Sequence, residues 1–273
     1  MPDDPGATFR VLHRPGDPFV LANAWDIGTA RLLVGLGAQA IGTTSAGFAF
    51  TRGLPDGARI GRDEAIAHAA ELAASVPVPV SADLEHGYGD DPDAVAETIR
   101  LAGAAGLAGA SIEDIAHPGT GAYPFDLAVA RIAAAAAAAR SLPADFVLVA
   151  RADGVMTGAY DMEEALARIR AFDTAGADCL YVPLPPDLAA LRAVVAATEK
   201  PVNALASGAF LNLHLSDFAR AGVARISLGS GLARLAQASI IEAGRSILGG
   251  DFTPLGWGAS RAAVEAILAE GER

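Results

Sequence analysis

The sequence predicts an α/β fold: a single (β/α)8 barrel over residues 1–273, with residues 232–273 as a C-terminal helical extension. Three observations point there. Roughly eight apolar strand patterns alternate with helical patterns, the number one such barrel needs at this length. The strand patterns are short continuous apolar runs, as parallel strands buried on both faces require. Ala-Gly followed by Ala or Val recurs before strands (Ala175-Gly176-Ala177, Ala221-Gly222-Val223), which fits helix ends leading into strands. A doubly wound open sheet is the rival. It needs fewer units, and no Gly-x-Gly-x-x-Gly turn follows the first strand.

Taken in order, residues 1–18 are rich in Pro, Gly and Asp and read as an irregular lead-in. Residues 19–26 form a strand pattern ending in polar groups, and 30–35 a short helical one. Residues 39–45 read as a second strand, followed by a Gly-rich loop with Pro55 and Asp56. A helix over 62–75 carries acids in its first turn. Residues 76–80 read as a third strand, interrupted by Pro77 and Pro79. A helix over 91–105 has Asp91 as N-cap and Pro92 at its first position. Residues 110–114 form a strand. The helix over 126–140 contains an alanine run, which is ordinary for a packed helix because alanine is the best helix former. A strand over 146–153, a helix over 161–175 and strands at 179–182, 202–205 and 225–228 follow, with helices at 187–198 and 217–221 between them. After residue 232 come an apolar loop, Phe252-Thr253-Pro254-Leu255-Gly256-Trp257, and a final helix from Ser260. That loop calls for a cover beyond the barrel, such as another subunit.

Composition removes several function classes. Hydrophobic residues make up 52% and charged residues 19%, enough for a sizeable core. A net charge of −12 argues against nucleic acid, whose phosphates need Lys and Arg. One cysteine, Cys179, excludes an internal disulfide framework and a Cys-rich metal site, and it reads as a small core residue. No signal peptide is readable and no apolar run approaches the ~20 residues of a membrane span. A cytoplasmic protein without membrane contact is expected.

In a (β/α)8 barrel the active site lies at the C-terminal ends of the strands. Those ends hold Asn23, Trp25 and Asp26, then Thr43 and Ser45, Asp83 and Glu85, Glu113 and Asp114, Arg151 and Asp153, Asn203 and Ser227. Asp83 and Glu85, two apart on a strand, would share a face. Alone they could be solvated loop acids or a helix cap. Crowded with Glu113 on one rim, they ask for a cation, and a hard divalent ion with oxygen ligands is the natural one. Such an ion stabilises negative charge developing on substrate oxygens. Arg151 could grip a substrate carboxylate in bidentate fashion. Ser45 and the amides near Gly47 could hold a second carboxylate or a phosphonate.

The ordered set Asn23-Ala24-Trp25-Asp26, Thr44-Ser45-Ala46-Gly47, Leu54-Pro55-Asp56, Asp83-Leu84-Glu85-His86-Gly87-Tyr88-Gly89, Ile112-Glu113-Asp114 and Ala150-Arg151-Ala152-Asp153 resembles the isocitrate lyase/phosphoenolpyruvate mutase superfamily. The resemblance spans about residues 19–249. It implies a barrel whose last helix is exchanged between subunits of a homodimer or homotetramer, Mg2+ or Mn2+, and a small 2-oxo or 2-hydroxy carboxylic acid passing through an enolate. It implies Asp83 as metal ligand, Glu85 and Glu113 around metal-bound waters, and Asp56 on a loop over the site. Thr43, Ser45, Ala46, Gly47, Arg151 and Asn203 would face substrate, with Trp25 either walling the pocket or packing the barrel mouth.

Departures from the family narrow the chemistry. Glu85 stands where the family usually has Asp. The lyases' Lys-(Lys/Arg)-Cys-Gly-His segment is replaced by His117-Pro118-Gly119-Thr120-Gly121-Ala122-Tyr123, so His117 and Tyr123 are the candidate proton donors. A glutamate common after the lyases' sixth strand is absent from Val182-Pro183-Leu184-Pro185, as is the mutases' Lys and Asn loop. Three functions fit: a C–C lyase, including decarboxylation of an oxaloacetate-like acid; a phosphonomutase or P–C hydrolase; and a 2-oxo acid binder without turnover.

Overall fold

The computed structural model describes residues 4–57, 60–117, 119 and 121–272. Eight strands close into a parallel barrel in sequence order: β1 (Phe19–Asn23), β2 (Ile41–Gly42), β3 (Val80–Asp83), β4 (Gly109–Glu113), β5 (Val147–Arg151), β6 (Cys179–Tyr181), β7 (Val202–Leu205) and β8 (Arg225–Ser227). Most strand positions are buried, by barrel contents or by the surrounding helices, which explains the continuous apolar runs; Val20 in β1 is the exposed exception and Ser111 in β4 is half-buried.

The lead-in is the first correction. Residues Pro5–Leu12 form a helix, α1. Asp4 caps it, accepting from the Gly6 amide at 2.9 Å, and Pro5 takes the first helical position, where a missing N–H costs nothing. Gly6 lies against the Asp145 carbonyl, so closely that a Cβ there would sit 1.7 Å from its oxygen. Arg10 then bridges Asp145 at 2.7 Å and Asp178 at 2.8 Å. Phe9, fully buried, meets Phe19 and closes one end of the barrel. Only the opposite, C-terminal mouth is left for a site.

Several strands are shorter than their sequence patterns or displaced along them, the second and third most of all. The second strand ends at Gly42, because Thr44 caps a helix, α3 (Ser45–Thr51), with its hydroxyl accepting from the Gly47 amide at 3.2 Å. The third begins only at Val80, since Pro77 and Pro79 have no N–H to give a ladder. The alanine run behaves as expected. It lies in α6 (Phe125–Arg140), where Ala128, Ile132, Ala135, Ala136 and Ala139 are buried against α5 (Pro92–Ala104) and the strands. Cys179 is a buried free thiol.

After β8 comes the 18-residue helix α11 (Gly231–Leu248), then a short turn and α12 (Arg261–Gly271). Helix α12 packs on α2 (Ile27–Gly35) of its own chain, with Gly35 against the Ile267 carbonyl. Helix α11 buries only Ala233 and leaves Leu235, Ile240 and Ile241 exposed; Phe252, Leu255 and Trp257 of the apolar loop are exposed too. No helix among the described residues is long and apolar enough to cross a membrane.

Candidate active site

The barrel mouth opens into a cavity of about 280 Å3. Asp83, Glu85, Glu113, His117, Arg151 and Arg225 are on its wall. Thr43, Ser45, Ala46 and Asp56 border it as well.

Asp83 ends β3 and is held from two sides. Its Oδ2 accepts from the Ser45 amide at 3.1 Å and the Ser45 hydroxyl at 2.8 Å, and its Oδ1 from Arg151 Nη1 at 2.9 Å. Ser45 thus orients an acid rather than standing free for an anion. Gly47 does not line the cavity, and its amide is spent on Thr44. Arg151 ends β5 beside Glu113, which ends β4, in paired register. Its Nε and Nη2 edge faces Asp153, and Nη2 also meets Glu113 at 2.9 Å. The bidentate grip expected for substrate is therefore occupied by Asp153. Arg151 ties three carboxylates into one array.

Glu85 reaches this array by a different route from the one its spacing suggests. Strand β3 stops at Asp83, and Glu85 sits in the left-handed region at φ 47°. Such a conformation costs a non-glycine residue about 1–3 kcal/mol and persists where its surroundings hold it. Here they do. The Glu113 amide donates to the Glu85 carbonyl at 2.9 Å. Arg131, buried inside α6, donates to the carbonyls of His86, Gly89 and Asp90. Thr98 donates to the Gly87 carbonyl at 2.7 Å. A turn, not a pleat, brings the two acids together.

His117 makes a short hydrogen bond to Glu113, and that contact raises its ring above the usual histidine value. Burial, with the Asp83 charge added, pushes the Glu85 carboxyl up to about 7. Burial and the neighbouring His117 lower His86 to about 4. The His86 Nδ1 atom is buried without a hydrogen-bond partner, so this loop histidine is not satisfied by backbone there. Glu85, His86 and His117 bring one donor atom each within 4.8 Å of one another, a cluster compatible with a divalent cation. Three carboxylates on one wall, one of them driven toward neutrality by burial and then by the Asp83 charge, are a donor set that suits a hard divalent ion.

The raised Glu85 carboxyl makes a testable claim. In metal-free protein it holds its proton more tightly folded than unfolded. Its contribution to stability is full below its ordinary value of 4.5 and is lost as pH rises through about 7. Added Mg2+ is expected to raise the melting temperature more at pH 8 than at pH 5. A shift equal at both values in thermal melts would contradict the assignment.

Other expected site residues lie elsewhere. Tyr123 is buried outside the cavity; its hydroxyl donates to Asp90 at 2.6 Å, and Arg131 stacks on its ring. It cannot reach the cavity as a proton donor. Pro118 and Thr120 of the same segment fall outside the described residues. Trp25 does not line the cavity; the chain has turned away to let Asp26 cap α2, and the Trp25 carbonyl meets His68. Asn203 is fully buried below the cavity wall and bonds Arg225 and Ser227 instead of facing substrate. Arg131 and Arg225 were not singled out, yet each was marked by a charge inside an otherwise apolar pattern.

A profile of the phosphoenolpyruvate phosphomutase family matches residues 9–248. The chain belongs to the isocitrate lyase/phosphoenolpyruvate mutase superfamily. A solved Burkholderia cenocepacia structure, assigned provisionally as a lyase/mutase, is 43% identical, superposes with a TM-score of 0.90, and is covered over 94% of its length by 95% of this chain. An uncharacterised Mycobacterium tuberculosis protein is 36% identical over 82% of both chains. The oxaloacetate decarboxylase of Paraburkholderia xenovorans is 31% identical over 71% of this chain and 65% of its own. Superfamily membership makes this chain an enzyme of the lyase/mutase type, working on small 2-oxo or 2-hydroxy acids by a metal-assisted mechanism.

Proposed function

We propose that this superfamily member is a Mg2+- or Mn2+-dependent C–C lyase for a small 2-oxo dicarboxylic acid, and that decarboxylation of an oxaloacetate-like acid is the reaction best supported. The observation that carries the reading is the joining of Asp83 and Glu113 by Arg151 on the cavity wall that also holds Glu85, with no cysteine there. Losing carbon dioxide from the carbon next to a 2-oxo group leaves an electron pair that spreads onto the 2-oxo oxygen as an enolate. A proton then returns to that carbon. This needs a stabilised oxygen and a modest proton source, not the cysteine acid of the family's lyases.

Asp83, Glu85 and Glu113 would hold the ion, which when bound neutralises charge developing on that oxygen. Ser45 fixes the direction of Asp83, and Arg151 fixes its spacing from Glu113. His117, raised by Glu113, keeps a proton at the cavity wall and is the candidate donor. Asp56, exposed on the loop that borders the cavity, would cover bound substrate. A cavity of about 280 Å3 suits a small acid, since pockets for drug-sized ligands start near 300 Å3. The similarity to oxaloacetate decarboxylase supports the same substrate class.

Purified enzyme with Mg2+ or Mn2+ is expected to release pyruvate and carbon dioxide from oxaloacetate faster than the ion alone, and to stop on chelation. Phosphate or pyruvate released from phosphonopyruvate instead would move the assignment to P–C chemistry, which the family profile also supports. Tight binding of 2-oxo acids without turnover of any 2-oxo or 2-hydroxy diacid would refute the lyase.

A further inference from the structure

We propose that Arg225 is an anion-binding residue on the floor of the cavity, selecting substrates that carry a second carboxylate beyond the 2-oxo group. This rests on the reading of the cavity as a 2-oxo acid site and deepens it.

The strand registers lead to it directly. Arg151 pairs with Tyr181, Tyr181 with Asn203, and Asn203 with Arg225, so one continuous row of backbone partners links the acid-bound arginine of β5 to the arginine of β8. Both side chains line the cavity. Their environments are opposite. Arg151 is surrounded by Asp83, Glu113 and Asp153. Arg225 is 3% exposed, and no carboxylate pairs with it among the described residues.

What Arg225 does have is neutral. Its Nε donates to the Asn203 side-chain oxygen at 2.8 Å, and Asn203 in turn donates to Ser227 at 2.9 Å. That pair holds the guanidinium in place without answering its charge. Its other neighbours supply no anion: the Cys179 thiol is raised by burial, Tyr181 is pushed up to about 12, and His13 beneath is held neutral, lowered to about 3. The Nη1 atom is buried and has no hydrogen-bond partner. An arginine stays protonated in proteins. A buried, fixed cation with a spare N–H on a cavity wall is therefore complementary to an anionic oxygen entering from that cavity.

The two ends of the cavity then divide the work. The 2-oxo group and the carboxylate attached to it lie toward Asp83, Glu85 and Glu113, and the second carboxylate, the one released as carbon dioxide, is held at Arg225 until the bond breaks. A monocarboxylic 2-oxo acid would leave that guanidinium unanswered and bind more weakly.

The test compares two four-carbon probes that the proposed reaction does not consume. Malate and 2-hydroxybutanoate share a skeleton and differ in a terminal carboxylate against a methyl group. Titration calorimetry on the Mg2+-loaded enzyme is expected to show malate binding about ten- to a hundredfold tighter, the range of one charge-assisted hydrogen bond. In Arg225→Met that ratio should collapse toward unity with 2-hydroxybutanoate affinity unchanged, and ligand-free melting should not fall, because an uncompensated charge has been removed. Arg225→Lys, which keeps a cation, should retain part of the preference and serves if the Met variant does not fold. Equal binding of the two probes by wild type, an unchanged ratio in the Met variant, or an equal loss of both probes would overturn the site. An intact ratio without decarboxylation would overturn the proposed reaction and leave this site standing.

Discussion

Asp83→Ala is expected to lower turnover by about a thousandfold or more and to weaken Mg2+ binding with it. The magnitude follows from the several kcal/mol that a metal contributes to charge stabilisation, at about 1.4 kcal/mol per factor of ten. The fold should survive. Arg151 loses one partner but keeps Asp153 and Glu113, and only the Ser45 amide and hydroxyl are left to the open side of the cavity. A second consequence separates loss of the site from loss of structure. The Asp83 charge is one of the causes that raise Glu85, second to burial. Without it the Glu85 carboxyl should fall, and the metal-free loss of stability between pH 4.5 and about 7 should shrink. Turnover within tenfold of wild type, or an unaltered stability profile in pH-dependent melts, would end the assignment of Asp83 as the centre of the array.

The path to that array from sequence was partly sound for the wrong reason. The barrel was legible because eight continuous apolar runs have few other uses, and the rim residues Asp83, Glu113 and Arg151 followed from counting strand ends. Glu85 lies on the cavity wall, but the alternation that pointed to it does not apply, since its backbone has already left the strand at φ 47°. What holds that conformation is Arg131, 46 residues beyond Glu85 and invisible to any local rule except one. It occupies the buried stripe of α6, at the helical spacing of Ala128, Ile132 and Ala135. A charge on an apolar stripe must find partners, and here they are loop carbonyls. Helix α1 was also readable, because Asp4 before Pro5 is a cap and first-turn pair. Tyr123 was misplaced for a reason no spacing reveals: its hydroxyl finds Asp90, outside the cavity, before it can find substrate.

The largest stability effect should come from a residue that touches no substrate. Asp114 is 3% exposed, one residue past the end of β4. It accepts from the Asp153 amide at 2.8 Å, the Tyr160 hydroxyl at 2.6 Å and Arg168 Nη1 at 3.0 Å. Arg168 projects inward from α8 (Met162–Ala175), stacks on Tyr160 and also donates to the Tyr123 carbonyl at 2.9 Å. Asp114→Ala would strand that guanidinium in a dry interior, at about 3–5 kcal/mol for a broken buried pair. Glu164, partly exposed, still meets Arg168 at 2.7 Å and should hold the loss toward the lower end. Even so, the loss is a large share of the 5–15 kcal/mol typical of a folded domain. The same change frees the Asp153 amide, and with it the carboxylate that occupies the edge of Arg151. Urea unfolding of Asp114→Ala should show a clearly lower midpoint, and turnover measured where the variant is fully folded should drop by about a hundredfold, the cost of an ångström-scale misplacement. Asp114→Asn, which keeps an oxygen for the amide, should recover part of both. A midpoint and turnover matching wild type in the alanine variant would mean that the strand-end acids are positioned independently of one another, and the array would have to be explained by Arg151 alone.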